Sequence, residues 1–376
     1  MKKVLLITNI ISPYRIPLFN YINSAIDYEF KVIALSENEN NRHWEINKEN
    51  IGFDYKILPG FHSFIQSKDW GLHINLGLSK ELLSYDPDII ITSGYDNLAY
   101  WHSLLYAKMF SKKYILWNGS TLLSSSQNSI LINKLKKLII SASDKYITYG
   151  TKAKEYLESY GAQSQDIYVG CNTVDIEYYY NKTNQYRKTE EFQQRRGKYP
   201  EILLLFVGQL IERKGIIELL KAFEKIDAKE IGLMVLGTGP LEKKLKKDFG
   251  DLDNLFFKGF VQKENIYKYY ALSDCLFVPS YEEVWGLVVN EGIASGNFVL
   301  ASNQVGAAYD IINDDTGLIF ETDNMVKQLK EKIKFCLTNK KEIINNRDKR
   351  REYAVNNLSI KNHAGAYIEA IYSFEK

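Results

Sequence analysis

The chain has 376 residues, of which 45% are hydrophobic and 25% are charged, and its formal net charge is +2. This composition is typical of a folded globular protein and excludes a disordered tail or a coiled coil. Because Lys and Arg (48) nearly balance Asp and Glu (46), the charge also argues against a dedicated nucleic-acid binder, whose domain is usually strongly basic. At roughly 150 residues per domain, the length predicts two domains.

Cysteine spacing and the longest apolar runs indicate the compartment. Cys171, Cys275 and Cys336 lie far apart and form no CxxC pair, which excludes a disulfide framework and a structural zinc site. The apolar run Val4–Ile7 stops at Thr8, short of the roughly 7–15 apolar residues of a signal peptide. No stretch approaches the roughly 20 apolar residues of a membrane span. We therefore expect a cytoplasmic protein, with peripheral contact to the inner face of the cell membrane as an alternative.

Ten short apolar runs recur along the chain, and runs without alternation are typical of strands buried on both faces of a parallel sheet. In chain order they are Val4–Ile7, Phe30–Leu35, Ile89–Thr92, Tyr114–Trp117, Tyr146–Thr148, Leu203–Val207, Leu233–Leu236, Leu255–Phe257, Cys275–Val278 and Phe298–Ala301. Segments with a helical apolar stripe lie between them, for example Gly215–Ile226, Leu241–Phe249 and Ile266–Leu272. This alternation predicts an α/β, doubly wound architecture.

The alternation breaks once, at residues 175–200, which are polar and charged and are followed at once by a fresh apolar strand. Segments of this kind mark domain boundaries. We therefore predict a Rossmann-like domain at residues 1–175, a linker at 176–200 and a second Rossmann-like domain at 201–355. Residues 356–376 are predicted to form a helix that packs back toward the amino-terminal domain. Since ligands of open α/β sheets bind beyond the carboxyl ends of the strands, we expect the site in a cleft between the domains.

The most informative segment is 279–296, PSYEEVWGLVVNEGIASG, which follows a predicted buried strand. The spacing predicts a helix that begins at Leu287, whose free first amides could bind an anion such as a diphosphate. Gly286 permits close approach of the backbone. Glu291, one turn into the helix, can accept hydrogen bonds from a diol such as ribose, and Glu283 can accept hydroxyls of a second group. The alternative is that both glutamates are solvated and the helix only packs.

Two other strand-to-helix turns carry candidate groups. In residues 206–215, FVGQLIERKG, a buried strand ends at Gly208, and Arg213 and Lys214 follow in the loop. Cations at the carboxyl end of a strand can neutralise phosphates, although exposed basic residues are also common at helix-entry turns. Residues 235–240, VLGTGP, form a third turn, but this pattern is not a GxGxxG dinucleotide fingerprint.

These turns stand in register over about 90 residues, and together they resemble the carboxy-terminal half of retaining GT-B glycosyltransferases of family 4, the glycosyl transferases group 1. The matching positions are Val207-Gly208, Lys214-Gly215, Gly237-Thr238-Gly239-Pro240, Gly259-Phe260-Val261, Pro279-Ser280, Glu283, Glu291 and Ala294-Ser295-Gly296. The amino-terminal half resembles the family only in outline. The resemblance implies the GT-B fold, in which two Rossmann-like domains face a cleft. It also implies that residues 1–175 form the acceptor domain and residues 201–355 the donor domain.

The resemblance implies a retaining hexosyltransferase that moves a sugar from a nucleotide-sugar donor to a saccharide or lipid-linked acceptor. UDP is the expected nucleotide because it is the commonest donor class in such families. Cations and amides around the departing diphosphate would stabilise the transition state, so no metal and no cofactor are expected. The DxD-like pairs Asp86/Asp88 and Asp251/Asp253 are interpreted as structural. The opening Pro13–Phe19 resembles that of bacterial surface-polysaccharide enzymes, which implies polysaccharide biosynthesis at the cell envelope.

The resemblance also implies roles for individual residues. The implied catalytic residues are Glu283, Lys214 and Asn118. The implied donor-binding residues are Arg213, Lys214, Gln209, Gly239, Phe260, Val261, Glu283, Trp285, Gly286, Leu287, Val288, Glu291 and Arg15. The expected roles are diphosphate binding for Lys214, Arg213 and the amides of residues 285–288, ribose binding for Glu291, donor-sugar binding for Glu283 and framing of the base for the backbone around Phe260 and Val261.

Two departures from the family pattern bear on the mechanism. The family usually has Arg where this chain has Gln209, and Arg213 or Arg15 could supply the missing cation. Arg15 is interpreted as a phosphate ligand for donor or acceptor, with a structural salt bridge as the alternative. Many members carry a His in the loop that here reads Asn118-Gly119-Ser120-Thr121, and Asn can bind the sugar but cannot act as a base. Retaining members pass the acceptor proton to the leaving phosphate, so this loss need not abolish activity.

Three alternatives remain open. Gln209 and Asn118 leave room for a non-catalytic sugar-nucleotide-binding or scaffold protein, and a GT-B-fold isomerase or phosphorylase is a second enzyme hypothesis.

Residues 101–160 hold nine Lys and three acidic residues, so their charge is 9 − 3 = +6, and they include the amphipathic segment Ile130–Ile140. Such a helix could contact anionic lipid, or it could be an ordinary helix with a solvated face.

Overall fold

The computed structural model describes residues 1–37, 48–65, 70–124, 129–226 and 229–375. The chain divides into two compact units. The amino-terminal unit consists of residues 1–171 and 360–376, and the carboxy-terminal unit consists of residues 172–359. The chain therefore passes from one unit to the other twice.

The amino-terminal unit contains a parallel sheet and a separate hairpin. Its strands are β1 (Lys3–Thr8), β2 (Glu29–Ala34), β3 (Asp54–Ile57), β4 (Phe61–Ile65), β5 (Trp70–Ile74), β6 (Ile89–Thr92), β7 (Lys113–Asn118), β8 (Lys145–Thr148) and β9 (Ile167–Val169). In the described part of this unit, the parallel sheet has the order β3-β2-β1-β6-β7-β8-β9, and β4 pairs with β5 in antiparallel fashion. Its helices are α1 (Ile16–Ala25), α2 (Leu78–Tyr85), α3 (Leu98–Met109), α4 (Ile130–Ala142) and α5 (Thr151–Ser159).

The carboxy-terminal unit has a second parallel sheet. Its strands are β10 (Ile202–Val207), β11 (Ile231–Leu236), β12 (Leu255–Gly259), β13 (Cys275–Val278), β14 (Phe298–Ser302) and β15 (Gly317–Phe320), in the order β12-β11-β10-β13-β14-β15. Its helices are α6 (Ile176–Arg187), α7 (Glu190–Arg196), α8 (Ile216–Glu224), α9 (Glu242–Phe249), α10 (Lys263–Leu272), α11 (Leu287–Ser295), α12 (Ala308–Ile311), α13 (Met325–Thr338), α14 (Lys340–Asn345) and α15 (Arg347–Asn357). The last helix, α16 (Ile360–Tyr372), belongs to the amino-terminal unit.

The predicted α/β architecture with two Rossmann-like parallel sheets is confirmed, and all ten apolar runs coincide with strands, apart from Leu35, one residue beyond the end of β2. The sequence patterns did not predict β3, β4, β5, β9 or β15. Among these, β3, β9 and β15 are edge strands of their sheets. In β3 polar residues alternate with apolar ones, and the apolar runs of β9 and β15 are only three residues long, so these strands leave a weaker apolar signal.

Residues 176–200, predicted as a linker, form α6 and α7 and lie within the carboxy-terminal unit. Both helices have side-chain caps: Asp175 accepts a hydrogen bond from the Tyr178 amide at 2.9 Å, and Thr189 accepts one from the Phe192 amide at 3.2 Å. Such caps stabilise short polar helices. Because α6 buries tyrosines such as Tyr179 and only one aliphatic residue, Ile176, its composition looks like that of a linker.

Candidate active site

Two loops of the carboxy-terminal unit are joined backbone to backbone where β10 and its neighbour β13 end. Gly215 has a φ of +67°, and a Cβ at this position would lie 1.9 Å from the carbonyl oxygen of Pro279. The Tyr281 amide donates a hydrogen bond to the Arg213 carbonyl oxygen at 2.8 Å. Only glycine combines this backbone conformation with so close an approach. The contact therefore fixes the position of residues 213–215 beside the loop after β13.

This contact brings together two of the predicted residues, Lys214 and Glu283. Lys214 Nζ forms an ion pair with Glu283 Oε2, and the side chains are 19% and 18% exposed. Arg213 lies beside them, with Nη1 3.4 Å from the Glu282 carbonyl oxygen. An ammonium and a carboxylate that neutralise each other at the carboxyl edge of a sheet can separate to bind an anion and a hydroxyl group, respectively.

A third loop, which follows β14, supports the other side of Glu283. The Glu283 amide donates to the Gln304 carbonyl oxygen at 3.1 Å, and the Gly306 amide donates to the Glu283 carbonyl oxygen at 3.0 Å. A Cβ at Gly306 would lie 2.1 Å from the carbonyl oxygen of Val284. Sequence reasoning missed this loop; the available signal was a glycine shortly after a buried strand, at the same edge of the sheet.

The helix α11 begins at Leu287, as predicted, and ends at Ser295. It follows Gly286, which has a φ of +94°, and no side chain caps its first turn. The first amides of a helix have no intrahelical partner, so those of Leu287 and Val288 remain suited to an anion. Trp285 is buried, and the Ala307 amide donates to its carbonyl oxygen at 2.9 Å. The backbone amides predicted to bind the diphosphate therefore lie in one short turn next to Glu283.

Glu291 has a partner that sequence reasoning did not find. The residue is 3% exposed, and its Oε2 accepts a hydrogen bond from the Tyr270 hydroxyl at 2.6 Å. Burial raises the pKa of the Glu291 carboxyl above its ordinary value, while hydrogen bonds from Tyr270 and Tyr179 oppose this shift. Both tyrosines lie on other helices, α10 and α6, so no local pattern connects them to Glu291. A ribose diol would have to share this carboxylate with the Tyr270 hydroxyl.

The remaining predicted donor residues lie in neighbouring loops. Gln209 and Phe260 are exposed and Val261 is half-buried. A Cβ at Gly239 would lie 2.6 Å from the Leu210 carbonyl oxygen. The glycine in this turn therefore allows the loops after β10 and β11 to touch, which is a packing reason for the GTG pattern. The role of Phe260 beside a base stays a prediction.

Arg15 lies at the carboxyl edge of the amino-terminal sheet, among aromatic rings. Its guanidinium carbon is 4.5 Å from the Trp117 ring centroid and 5.1 Å from that of Tyr149. Nη1 lies 3.4 Å from Nε2 of His363, a buried residue of α16. Burial, together with the charge of Arg15, lowers the pKa of His363 to about 3. The imidazole is therefore neutral near pH 7 and accepts from Arg15, and stacking holds the guanidinium in a defined orientation.

Asn118, the last residue of β7, is buried and bonded within its own turn. Its Nδ2 donates to the Ser120 carbonyl oxygen at 3.1 Å, and its Oδ1 accepts from the Ser120 amide at 3.3 Å. The predicted contact of Asn118 with a donor sugar would have to compete with this turn. Sequence reasoning also missed that Trp117, the preceding residue, carries the ring on which Arg15 stacks.

The acidic pair Asp86/Asp88 has structural partners. Asp88 Oδ2 accepts from the Lys3 amide at 2.8 Å, and Asp86 forms an ion pair with Lys112 at 2.7 Å. These bonds support the structural interpretation of this pair. In the described ranges, no group of three His, Cys, Asp or Glu side chains is placed to hold a metal ion.

Comparison with known sequences relates the carboxy-terminal unit to a family. The model of Glycosyl transferases group 1 matches residues 187–357. The chain is 29% identical over 205 residues to the uncharacterized glycosyltransferase MJ1607 of Methanocaldococcus jannaschii. This alignment covers 52% of this chain and 51% of that protein. It is 26% identical over 369 residues to MJ1069 of the same organism, covering 89% of each. The alignments with the first three curated relatives span 51%, 41% and 29% of their lengths, that is, about half or less.

Solved structures share the fold along nearly the whole chain. Anabaena HepE in complex with UDP and glucose has a TM-score of 0.73 and 13% identity, covering 99% of this chain and 100% of that one. Sucrose-phosphate synthase from Thermosynechococcus elongatus has a TM-score of 0.76 and 17% identity, covering 100% and 99%. Residues 187–357 therefore form a domain of the Glycosyl transferases group 1 family, in a chain that has the two Rossmann-like domains of the GT-B fold.

Proposed function

We propose that this chain is a retaining glycosyltransferase. Its carboxy-terminal unit would bind a nucleotide-sugar donor, and its amino-terminal unit would bind a saccharide or lipid-linked acceptor. The observation that carries the proposal is the ion pair between Lys214 and Glu283, next to the uncapped first turn of α11. This arrangement brings a cation from the loop after β10 next to the free amides and the hydroxyl acceptor of the turn after β13, which is what a sugar joined to a diphosphate requires.

The carboxy-terminal unit would act on the bond between the sugar C1 and the diphosphate oxygen. As this bond breaks, negative charge grows on the diphosphate, and the Lys214 ammonium, the Arg213 guanidinium and the amides of Leu287 and Val288 stabilise it. Bound phosphate replaces Glu283 as the partner of Lys214, and the Glu283 carboxylate is then free to accept hydrogen bonds from donor-sugar hydroxyls. These fixed groups supply the charge stabilisation, so the proposed reaction uses no metal ion.

The acceptor would react on the face of the sugar that the diphosphate leaves. Its hydroxyl oxygen forms the new bond to C1, its proton passes to the departing phosphate oxygen, and the anomeric configuration is retained. Atoms balance without a protein base, which agrees with Asn118 at a position where many members of the family that the sequence resembles have His. In this scheme Arg15, oriented by Trp117 and Tyr149, binds an anionic group of the acceptor.

The donor nucleotide is proposed to be UDP. The HepE structure contains UDP and glucose, whereas a Mycobacterium tuberculosis relative 30% identical over 139 residues is named a GDP-mannose-dependent mannosyltransferase. A panel of UDP-, GDP- and ADP-sugars, assayed with and without EDTA, therefore tests both the donor nucleotide and the metal independence. We expect turnover of a UDP-sugar, no loss with EDTA and a product with the anomeric configuration of the donor by NMR.

The same panel distinguishes the proposal from its alternatives. Binding of a nucleoside diphosphate without turnover of any sugar would favour a sugar-nucleotide-binding protein. Inversion of the anomeric centre would contradict retention, and loss of turnover with EDTA would contradict metal independence. If no nucleotide sugar is bound or turned over at millimolar concentration, the transferase proposal is wrong.

We also propose peripheral contact between α4 and an anionic membrane. No helix in the described part of the chain is long and apolar enough to cross a bilayer. On α4, however, Leu131, Leu135 and Leu138 are 67%, 44% and 60% exposed, and Lys134 and Lys137 are exposed beside them. Apolar and basic side chains on one exposed helix are typical of a surface that inserts among anionic headgroups.

Cosedimentation with vesicles that contain phosphatidylglycerol tests this contact. Lys134→Gln together with Lys137→Gln is expected to reduce binding severalfold at physiological salt. Lys136→Gln is the matched control, because Lys136 is half-buried with its ammonium 5.8 Å from the Tyr156 ring centroid. Equal binding by the double variant and the wild type would contradict membrane contact through α4.

A further inference from the structure

Asn290 lies on α11, directly before Glu291, and is fully buried. Its Oδ1 accepts a hydrogen bond from Trp285 Nε1 at 3.0 Å, and its Nδ2 donates to the Asn172 carbonyl oxygen at 3.1 Å. An asparagine side chain suits this position because it accepts at one atom and donates at the other. A leucine here would leave buried polar groups on both sides without this partner.

Thr173 continues this chain of hydrogen bonds. Asn290 Nδ2 lies 3.4 Å from Thr173 Oγ1, which donates in turn to the Leu358 carbonyl oxygen at 2.6 Å. We call Trp285, Asn290, Asn172, Thr173 and Leu358 the Asn290 relay; each is at most 4% exposed. Each donor in the relay meets an acceptor, and connected buried hydrogen bonds reinforce one another.

The two ends of the Asn290 relay lie in different parts of the carboxy-terminal unit. One end, Trp285, belongs to the turn that carries Glu283 and the free amides of α11. The other end lies in the crossover segments, which we define as residues 172–174 and 356–359. These segments adjoin the two points where the chain passes between its units. The relay thus connects the proposed donor turn with both crossover segments through buried groups of the carboxy-terminal unit.

We propose that Asn290 is a positioning residue that acts through Trp285 and couples nucleotide binding at the donor turn to ordering of the crossover segments. This inference rests on the proposed function, since it assigns the nucleotide to that turn. Coupling between two sites is reciprocal. A bound nucleoside diphosphate therefore favours the ordered form of the crossover segments. The factor by which it does so equals the factor by which an interrupted relay weakens nucleotide binding.

Hydrogen–deuterium exchange with and without UDP tests the coupling, with GDP or ADP used if it binds in place of UDP. In the wild type, nucleotide should slow exchange in the crossover segments. Trp285→Phe removes the indole N–H and Thr173→Val removes the hydroxyl, so each should abolish this protection. Each should also raise the donor KM about five- to tenfold, the effect of one buried hydrogen bond, with kcat within about twofold. Thr173→Ser, which keeps the hydroxyl, should restore both properties.

A matched control comes from the amino-terminal unit, where Trp101 Nε1 donates to the Tyr95 carbonyl oxygen at 2.9 Å. Trp101→Phe removes an equivalent hydrogen bond and should leave the donor KM and the crossover protection unchanged. If Trp285→Phe and Thr173→Val, folded by thermal melting, keep wild-type protection and KM, the coupling is wrong. If the wild type binds none of the three nucleotides in a direct titration, the proposed function fails and this inference fails with it.

Discussion

The two units build the carboxyl edges of their sheets in different ways. In the carboxy-terminal unit, Lys214 and Glu283 meet because short loops after adjacent strands touch through Gly215. In the amino-terminal unit, Arg15 is held by rings from two strand ends and by His363 of α16, a helix that rejoins the unit only after residues 172–359. A local backbone requirement leaves a motif in the sequence, whereas a cluster assembled from distant segments leaves none.

The largest expected effect concerns the ion pair of the carboxy-terminal unit. Lys214→Met should lower kcat/KM for the donor by about 10²–10³-fold, because it removes a cation aimed at the charge that develops on the diphosphate. Glu283→Gln should cause a loss of similar size through weaker binding of the sugar hydroxyls. Steady-state kinetics with the best donor measures both effects.

Glu282→Gln and Lys246→Met are the matched controls for this pair. Glu282 is next to Glu283 in the chain, and Lys246 forms an exposed pair with Glu242 on α9. Both should retain kcat/KM within about twofold, as expected of surface charges. Equally mild effects in all four variants would contradict the roles assigned to Lys214 and Glu283.

Gly215→Ala should come next, with a loss of about a hundredfold in kcat/KM. A Cβ would lie 1.9 Å from the Pro279 carbonyl oxygen, so the loops must move apart and the ion pair must shift. Gly161→Ala is the control, since Gly161 also has a positive φ, +100°, but a Cβ there would meet no atom within 4 Å. Wild-type kinetics in a folded Gly215→Ala variant would show that this contact does not position Lys214.

Glu291→Gln should raise the donor KM about tenfold and change kcat little, because it weakens a contact made equally in the ground state and the transition state. Tyr270→Phe separates this role from packing. It removes the hydroxyl bonded to Glu291, and should lower the free energy of unfolding by about 1 kcal/mol while leaving the KM within about twofold. A fall in kcat without a change in KM for Glu291→Gln would disprove ribose binding.

Arg15→Met tests the amino-terminal unit and should raise the acceptor KM about tenfold while the donor KM stays unchanged. The reason is loss of an oriented guanidinium that binds an anionic acceptor group. Lys152→Met, which removes a half-buried cation paired with Glu155, serves as the control. A change confined to the donor KM would instead indicate that Arg15 binds the donor.

The smallest effect is the pH dependence of stability that arises from His363. Its pKa falls from 6.5 to about 3 on folding, because burial disfavours the charged ring. Between these values the unfolded state binds the proton and the folded state does not, so the free energy of unfolding falls as pH drops below 6.5. The loss between pH 7.5 and pH 5.5 should be about 1 kcal/mol. Urea unfolding of the wild type and His363→Gln measures it, and the variant should show a flatter profile; identical slopes would contradict this assignment.

Several elements were predictable because one local property decides them. All ten predicted strands are apolar runs, and α11 begins at Leu287 because Gly286 precedes an apolar helical stretch. The edge strand β3 was not predictable, since Asp54 and Lys56 alternate with its apolar residues and leave no continuous apolar run. The helices α6 and α7 were also missed, because tyrosines and side-chain caps replace the aliphatic stripe on which the prediction relied.

By itself, the amino-acid sequence determined the two parallel sheets and the order of turns around Lys214, Glu283 and α11. Those features depend on burial of apolar runs and on glycines that tolerate a positive φ, and both act within a few residues of the chain. Only the tertiary structure decided that Tyr270 bonds Glu291, that Asn290 links Trp285 to Asn172, and that Arg15 meets His363. These partners lie on separate elements, and hydrogen bonds and ring contacts between them form only after the sheets have brought the elements together.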